Sequence, residues 1–473
     1  MTGELRHYQD ILKLAAPIAG IQFAQVALTS TDLLMMSFIG LEAVAAGGLA
    51  LLLYNQLRTM CVGMVTSVGN LIAGAMGRGE KRSGSAVADQ LAHEEVRALL
   101  RASMLLATIV AIVGALLLIG LSFGLGYLGQ DRSITALAQP IMMTLAPGLL
   151  PMLWLNVLRQ FAVGMRRAGS LFAVTVISIA INALLNAIFI FGWLGMPQIG
   201  LAGIGLATTL VQVWTFLVYL GTVRRDETLK ALLALDGWRA DVATVTRIGR
   251  MGTPIALTYG SEAAITSIAT VFMGTFGPVA LAASNIVNQL AYIVYQLNIG
   301  LSQGSSILVS RTAGHDKAAE IGAIARRTFT ISFAAMTLIG LAYVFLPDVI
   351  LYPFTGQNSD PAMLAIATTL LWFAIAHQFL KGSQNLCIGL LRGLGNTKAG
   401  LTNTLIGYWL IGIPAMVVFA FGLGWGGYGV WFGLCLGFGT TSLLLWWRFI
   451  ADLRSALKPR THNGRLETAG SVR

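Results

Sequence analysis

The stretch AAPIAGIQFAQVALTSTDLLMMSFIG, residues 15–40, returns in altered form as GTPIALTYGSEAAITSIATVFMGTFG, residues 252–277, and this repetition determines the architecture. Each copy is long and apolar enough to cross a bilayer as a helix. At one fixed offset of 237 residues, prolines and glycines of the two halves match: Pro17 with Pro254, Gly40 with Gly277, Gly63 with Gly300 and Gly77 with Gly314. The chain is therefore an internal repeat built from membrane-spanning helices.

The composition indicates a polytopic membrane protein. Of the 473 residues, 56% are hydrophobic and only 11% are charged, whereas soluble domains carry about 25% charged residues. The mean hydropathy is +0.74. The apolar runs are continuous and longer than the alternating ten-residue segments of an outer-membrane barrel. We therefore predict an all-α polytopic membrane protein.

The apolar runs divide into twelve predicted transmembrane helices, six in each half. The predicted spans are 11–38, 46–76, 98–125, 134–158, 168–192, 201–222, 247–276, 279–310, 323–346, 362–391, 398–421 and 427–452. Because six is even, both halves enter from the same side, as parallel repeats related by a pseudo-twofold axis along the membrane normal. The predicted units are an N-lobe at 1–222, a linker at 223–245, a C-lobe at 246–452 and a tail at 453–473.

The basic residues predict the orientation of the helices. The net charge is +11, and all but three of the 31 Lys and Arg residues fall on the side of the N-terminus, Arg159 among them in a predicted loop. Arg132 falls on the other side, and Arg58 and Lys381 fall within spans. The positive-inside rule predicts two cytoplasmic termini and an inner-membrane protein. Charge spread thinly over short loops argues against nucleic-acid binding.

Only two of the twenty acidic residues, Asp32 and Glu262, lie in the interior of predicted spans, one in each half; the others fall in loops, at span ends or in the tails. A carboxylate at the centre of a bilayer costs about 2.5–3.5 kcal/mol on insertion scales. A chain that keeps two such residues is expected to use them.

Asp32 has two interpretations. It is either locked to Arg58 of the second span, or it alternately binds and releases H⁺ or Na⁺. Asn182 and Asn186 are four residues apart and therefore share a helix face. Their side chains either complete a site around Asp32 or form ordinary interhelical hydrogen bonds.

Glu262 and Lys381 are predicted at similar depths, about 21 Å and about 15 Å from the inner ends of their helices. They are close enough for an ion pair, which is either structural, a built-in replacement for a coupling ion, or a pair for which substrate competes. His377 and Gln384 share the helix face of Lys381 and are predicted on the cavity wall. His377 is alternatively a packed core residue.

The sequence contains no catalytic or cofactor-binding motif, so we predict that the chain is not an enzyme and needs no cofactor or metal. Its three cysteines, Cys61, Cys387 and Cys435, all lie in apolar spans without metal-ligand spacing. No glycine-rich phosphate loop is present, so an ion gradient is the expected source of energy.

Four sequence features together resemble the MATE (multidrug and toxic compound extrusion) family, in its NorM-like branch. These are TDLLMMSFIG at 31–40, GSEAAITSIATVFMG at 260–274, LRGLGNTKAG at 391–400, and NALLNAIFIFG at 182–192 followed by GLAGIGLAT at 200–208. The resemblance covers roughly residues 8–452. It implies two lobes in a V around a central cavity.

The resemblance also implies roles for individual residues. Asp32 corresponds to the first-helix aspartate of the family, with Asn182 and Asn186 beside it, and Glu262 to the seventh-helix glutamate. The chain departs from the pattern at Lys381, where relatives carry an acid. A cation site of the family type in the C-lobe is therefore in doubt.

The expected function is antiport: export of drugs, toxins or a metabolite in exchange for H⁺ or Na⁺, by alternating access, with hinges at Pro17 and Pro254. The expected partners are a small-molecule substrate and membrane lipids, with a monomer as the unit. The alternative is a flippase for lipid-linked precursors, in which Arg58 and Lys381 would hold a phosphate headgroup. A membrane receptor would explain neither the repeat nor the buried charges.

Overall fold

The computed structural model describes residues 2–128, 132–167, 169–355 and 360–457, and in these ranges the chain is helical without strands. The α-helices are α1 Thr2–Ser37, α2 Leu41–Thr66, α3 Val68–Ser83, α4 Gln90–Gly124, α5 Arg132–Leu145, α6 Leu149–Gly164, α7 Gly169–Phe191, α8 Ala202–Arg225, α9 Glu227–Leu232, α10 Val242–Gly274, α11 Pro278–Gly314, α12 Ala318–Phe345, α13 Pro347–Thr355, α14 Pro361–Gly393, α15 Lys398–Thr404, α16 Ile413–Val417 and α17 Gly427–Leu457. Wider π turns join α15 to α16 and extend α16.

The predicted spans are present, and most of the helices are longer than the apolar runs indicated. Eleven helical stretches in the described part of the chain are long and apolar enough to cross a membrane. The remaining predicted span, 279–310, lies in α11, which has 37 residues. It falls outside the apolar set because Asn, Gln and Ser are frequent along it. α4 begins at Gln90, eight residues before its predicted span, because a helix continues beyond the apolar layer.

The two lobes pack with pseudo-twofold symmetry. α1 of the first lobe packs on α11, and α10, its repeat counterpart, packs on α2. A Cβ on Gly63 would lie 2.7 Å from Ala256 Cα, and a Cβ on Gly300 would lie 2.7 Å from the Ala19 Cβ. Ala19 and Ala256 are themselves related by the 237-residue offset. The matched glycines are therefore explained by two equivalent close approaches between the lobes.

Each lobe has its own apolar core. The largest buried cluster lies almost wholly in the first half, around residues such as Phe161. A second cluster, around Trp431, lies in the second half. Smaller clusters connect the lobes, one of them composed of Leu14, Ile18, Ala73, Val163 and Ile307. The lobes therefore have independent interiors and a thinner layer of contacts between them.

One end of the bundle, called the basic end here, carries the connections 84–89, 226–241 and 315–317. Its loops are tied to the helices by charged groups: Arg101 donates to Asp236 at 2.7 Å, and Arg167 donates to Asp226 at 2.7 Å. The predicted linker 223–245 is shorter than expected, since α8 continues to Arg225 and α10 begins at Val242. It docks on α4 and is not a free tether.

The lobes are joined over the half of the molecule nearest the basic end. The contacts run from Gln56, which donates to the Gly260 carbonyl at 3.5 Å, to Asn70, which donates to Ser306 and Ser310 at 2.7 and 2.9 Å. Gln56 lies about 22 Å along α2 from its start at the opposite end. The described helix α17 continues to Leu457, five residues into the predicted tail, and residues 458–473 lie outside the described residues.

Candidate functional site

Asp32 lies in a polar site built by three helices of the N-lobe. Asn186 Nδ2 on α7 donates to Asp32 Oδ1 at 2.8 Å, and Thr208 Oγ1 on α8 donates to Asp32 Oδ2 at 3.3 Å. Asn186 Nδ2 also donates to Asn182 Oδ1 at 2.6 Å. The structure thus brings Asp32 together with both predicted asparagines. Thr208 was not predicted, although it ends the motif at 200–208.

The Asp32 site is buried and only partly satisfied. Asp32 is 2% exposed, and among the described residues no basic side chain lies within ion-pair distance of it. Asn186 Oδ1 and Asn182 Nδ2 have no hydrogen-bond partner in the same part of the chain. Unpaired buried polar atoms are rare in native proteins and call for a further partner.

The chemistry of this site suits a proton or a hard cation. The carboxylate, the two amide oxygens and the hydroxyl are oxygen donors, which hard cations prefer. With neutral partners only, an ionised Asp32 lacks a counter-charge, so a bound H⁺ or Na⁺ would neutralise it. Nowhere in the described chain do three or more His, Cys, Asp or Glu side chains cluster as a metal site.

Arg58 does not lock Asp32. Its Nε donates to the Asn55 side chain, one turn earlier on α2, at 3.2 Å. No ion pair of Arg58 is found among the described residues, so the locked alternative for Asp32 is not the arrangement in this structure. Tyr54, on the same helix, is close enough to interact electrostatically with both Asp32 and Arg58. Arg58 therefore lies between the Asp32 site and the contact with the second lobe.

Glu262 on α10 and Lys381 on α14 form an ion pair. Lys381 Nζ lies 3.1 Å from Glu262 Oε1, and the two side chains are 12% and 13% exposed. Tyr295 donates its hydroxyl to Glu262 Oε2 at 3.3 Å, and Lys381 Nζ lies 4.3 Å from the centre of the Tyr295 ring. The C-lobe therefore holds an acid paired with an ammonium group, whereas the N-lobe acid has no basic partner among the described residues.

His377 and Gln384 are packed in the C-lobe core. His377 is 4% exposed, and its ring meets Phe438 edge-on at 5.0 Å and Trp431 at 5.9 Å. Gln384 donates to the Tyr408 hydroxyl at 2.5 Å. His377 and Lys381 line a narrow gap between α11 and α14. The predicted polar face of α14 is thus shared between this gap and the core.

Arg159 is the functional candidate that sequence reasoning missed. The sequence assigned it to an inside loop, one residue beyond a predicted span, but it lies within α6. Arg159 is 4% exposed and its Nε has no hydrogen-bond acceptor among the described residues. It is close enough to Arg58 and to Tyr259 of the second lobe to interact electrostatically with both. The only signal in the sequence was a lone arginine at the edge of an apolar run.

A second missed feature is the interlobe latch, formed by Glu80, Arg311 and His315 at the basic end. Arg311 forms an ion pair with Glu80, and His315 Nε2 lies 2.8 Å from Glu80 Oε2. Glu80 is 6% exposed. Lys81 and Asp316 form a second ion pair across the lobes. The latch closes the basic end of the molecule.

Pro17 and Pro254 occupy matching places within long, uninterrupted helices. Proline lacks an amide hydrogen, so each removes the backbone bond to the carbonyl four residues earlier. The helices are weakened at equivalent points on the basic-end side of Asp32 and Glu262.

The family model described as MatE matches residues 17–188 and 254–418, two segments that begin at the paired prolines. A probable multidrug resistance protein NorM of Rhizobium meliloti strain 1021 is 32% identical over 453 residues, covering 95% of this chain and 94% of that protein. The same-named protein of Pseudomonas aeruginosa PAO1 is 33% identical over 446 residues, covering 92% of this chain and 88% of that protein.

Solved structures share the fold. A multidrug resistance MATE family transporter of the MOP superfamily, in an outward-facing conformation, superposes with a TM-score of 0.84 at 18% identity, covering 96% of this chain and 97% of that one. The Vibrio cholerae MATE transporter VcmN in its bent form superposes with a TM-score of 0.82 at 16% identity, covering 96% and 99%. The twelve-helix, two-lobe architecture is therefore common to all three.

Proposed function

Because the chain belongs to the MatE family, we propose that it is a secondary antiporter that exports organic molecules across the inner membrane in exchange for H⁺ or Na⁺. One observation carries the proposal: Asp32 is buried with neutral hydrogen-bond partners, and no basic side chain in the described part of the chain lies within ion-pair range of it. Binding of an ion neutralises the buried charge of such a carboxylate, and release of the ion becomes favourable when the carboxylate is exposed to water.

Ion binding at Asp32 is coupled to the shape of α1. When Asp32 is neutralised, its burial against Asn186 and Thr208 becomes favourable; when the ion leaves, the charge favours a wetter environment. α1 lacks one backbone hydrogen bond at Pro17 and can bend there. We propose that this bend, matched by Pro254 in α10, transmits the state of the ion site to the cavity.

The closed basic end supports an outward-facing state. The proposed orientation places both termini and the basic end in the cytoplasm, because nearly all basic residues lie on that side. The latch then closes the cytoplasmic entrance, and the cleft opens outwards. To load substrate, the protein must break the bonds of Glu80 with Arg311 and His315, and the gain from ion release must exceed this cost.

Lys381 acts, in this proposal, as a built-in cation that keeps Glu262 neutralised throughout the cycle. The 3.1 Å ion pair and the Tyr295 hydrogen bond support that role. The coupling ion is then needed only in the N-lobe. Both lobes come from one chain, so a single copy surrounded by lipid is the proposed transporting unit.

Everted membrane vesicles test the proposed function. With a panel of dyes and antibiotics, we expect substrate accumulation that depends on an imposed H⁺ or Na⁺ gradient and that stops when an ionophore removes the gradient. Translocation of a labelled lipid-linked precursor by the same vesicles, without dye accumulation, would instead establish the flippase.

A further inference from the structure

Arg159 is a buried cation without a negative partner. It is 4% exposed, its Nε has no acceptor, and no ion pair holds its guanidinium in the described part of the chain. Burial of an ionised group without a partner is strongly unfavourable, because hydration is lost and nothing replaces it. We therefore expect Arg159 to bind an anion at some stage of the transport cycle.

Arg58 adds a second positive charge near Arg159, which makes binding of an anion there more favourable. It interacts electrostatically with Arg159, and two guanidinium groups repel each other. The only hydrogen bond found for Arg58 within the described residues goes to the neutral side chain of Asn55. Arg58 is partly exposed, so a ligand in the cleft can reach it, whereas Arg159 lies deeper.

Among the residues that the structure describes, no acidic side chain lies within ion-pair distance of either arginine. Tyr54 on α2, Tyr219 on α8 and Tyr259 on α10 interact with one or both of them, and phenols are neutral at pH 7. Glu262 is held by Lys381 at 3.1 Å. Asp32 accepts hydrogen bonds from Asn186 and Thr208. The middle of the molecule therefore carries an excess of positive charge.

The pair lies close to the contact between the two lobes. Arg58 lies about midway along the α2–α3 segment, between the Asp32 site and the interlobe latch. Gly63, a little more than one turn further along α2, contacts Ala256 of the second lobe, and Tyr259 follows Ala256 by three residues. Groups from both lobes thus meet at Arg58 and Arg159. Movement of one lobe against the other would change the contacts of a ligand bound there.

We propose that Arg58 and Arg159 form an oxyanion subsite that binds a carboxylate of the transported molecule, so that the exporter accepts zwitterionic or anionic organic substrates. The inference rests on the proposed export function and specifies its substrate class. The planar guanidinium groups suit a carboxylate, which can accept parallel N–H bonds from each. The ligand replaces the repulsion between the two arginines by two attractive contacts.

Binding of two matched dyes tests this subsite. The probes are a zwitterionic rhodamine with a free carboxylate and its methyl ester, which is a simple cation. On purified protein in uncharged nanodiscs, we expect the native protein to bind the acid at least about tenfold more tightly than the ester, since charge-assisted bonds have that magnitude. R58Q and R159Q should each reduce the ratio about tenfold, and R159K should preserve part of it.

The control variant is R132Q, which removes an exposed arginine from the opposite end and should leave the acid-to-ester ratio unchanged. A ratio that stays within about twofold of native in R58Q overturns the inference, because Arg58 is partly exposed and its loss should not affect folding. R58Q therefore decides the matter even where R159Q fails to fold.

Two further arms identify the source of a failure. Transport of the ester by native vesicles tests export itself: if neither dye is exported, the proposed function fails, while the binding ratio still reports on the subsite. Nanodiscs with phosphatidylglycerol test a lipid headgroup as the occupant. If the native protein and R132Q both lose binding of the acid in that lipid, the site belongs to the lipid headgroup, and the substrate assignment is overturned.

Discussion

The ion pair between Glu262 and Lys381 allows a quantitative test of the C-lobe. At 3.1 Å, two unit charges attract by about 5 kcal/mol at an effective dielectric constant of 20. Both side chains are more than four-fifths buried, so solvent screens this attraction only weakly. Removing one partner leaves the other charge buried and unpaired, which costs about 3–5 kcal/mol in comparable pairs.

A double-mutant cycle separates the pair from its surroundings. Glu262→Gln and Lys381→Met alone should each lower the free energy of unfolding by about 3–5 kcal/mol. The double variant should lie within about 1–2 kcal/mol of native, because neutral groups of similar volume then fill the site. Methionine also packs well against the Tyr295 and Phe438 rings that now face the ammonium.

The assay is equilibrium unfolding in mixed micelles of a mild detergent and SDS, followed by tryptophan fluorescence. Within the cycle, these values correspond to a coupling energy of at least about 4 kcal/mol. A double variant whose destabilisation equals the sum of those of the two single variants would contradict this prediction. It would mean that the two charges are stabilised separately and that Lys381 does not neutralise Glu262.

Three further predictions concern other parts of the molecule. Thr208→Val removes one donor to Asp32 and should change the half-saturating concentration of the coupling ion about fivefold in transport assays; an unchanged value would place Thr208 outside the ion site. Glu80→Gln weakens the latch and should raise the population open at the basic end about tenfold. Spin labels on the two lobes at that end measure it, and native distances would contradict the latch. Asp89, in the loop before α4, has its pKa lowered to about 2 by the hydrogen bonds of Arg82. Its charge therefore stabilises the fold above the ordinary pKa of 3.8 and ceases to do so as pH falls through about 2; the stability difference between native and Asp89→Asn should follow that course, and a difference independent of pH would contradict it.

The sequence predicted those features that depend on the cost of placing polar groups in a bilayer. Asp32 and Glu262 stand out because the surrounding residues are apolar, and the four-residue spacing of Asn182 and Asn186 places them on one face. The structure brings Asp32 to both asparagines and Glu262 to Lys381. The repeat was visible because matched glycines sit at equivalent lobe contacts.

The sequence could not predict features that depend on three-dimensional proximity or on the ends of the helices. Arg159 falls one residue past a predicted span, where a basic residue normally marks topology. Glu80 and Arg311 are 231 residues apart, and charges near span ends resemble ordinary loop charges. The sequence allowed Arg58 either to lock Asp32 or, in the flippase alternative, to hold a phosphate headgroup, and only the packed structure shows that it bonds Asn55.

Coupling of substrate and ion transport at Asp32 is measured as substrate-driven ion movement in proteoliposomes that contain only this protein. With a substrate gradient imposed, H⁺ or ²²Na⁺ flux in the opposite direction should be measured for the native protein, for Asp32→Asn and for Glu42→Gln, which removes an exposed carboxylate at the start of α2. We predict coupled flux in the native protein and in Glu42→Gln, and none in Asp32→Asn. Undiminished coupled flux in Asp32→Asn would contradict the account.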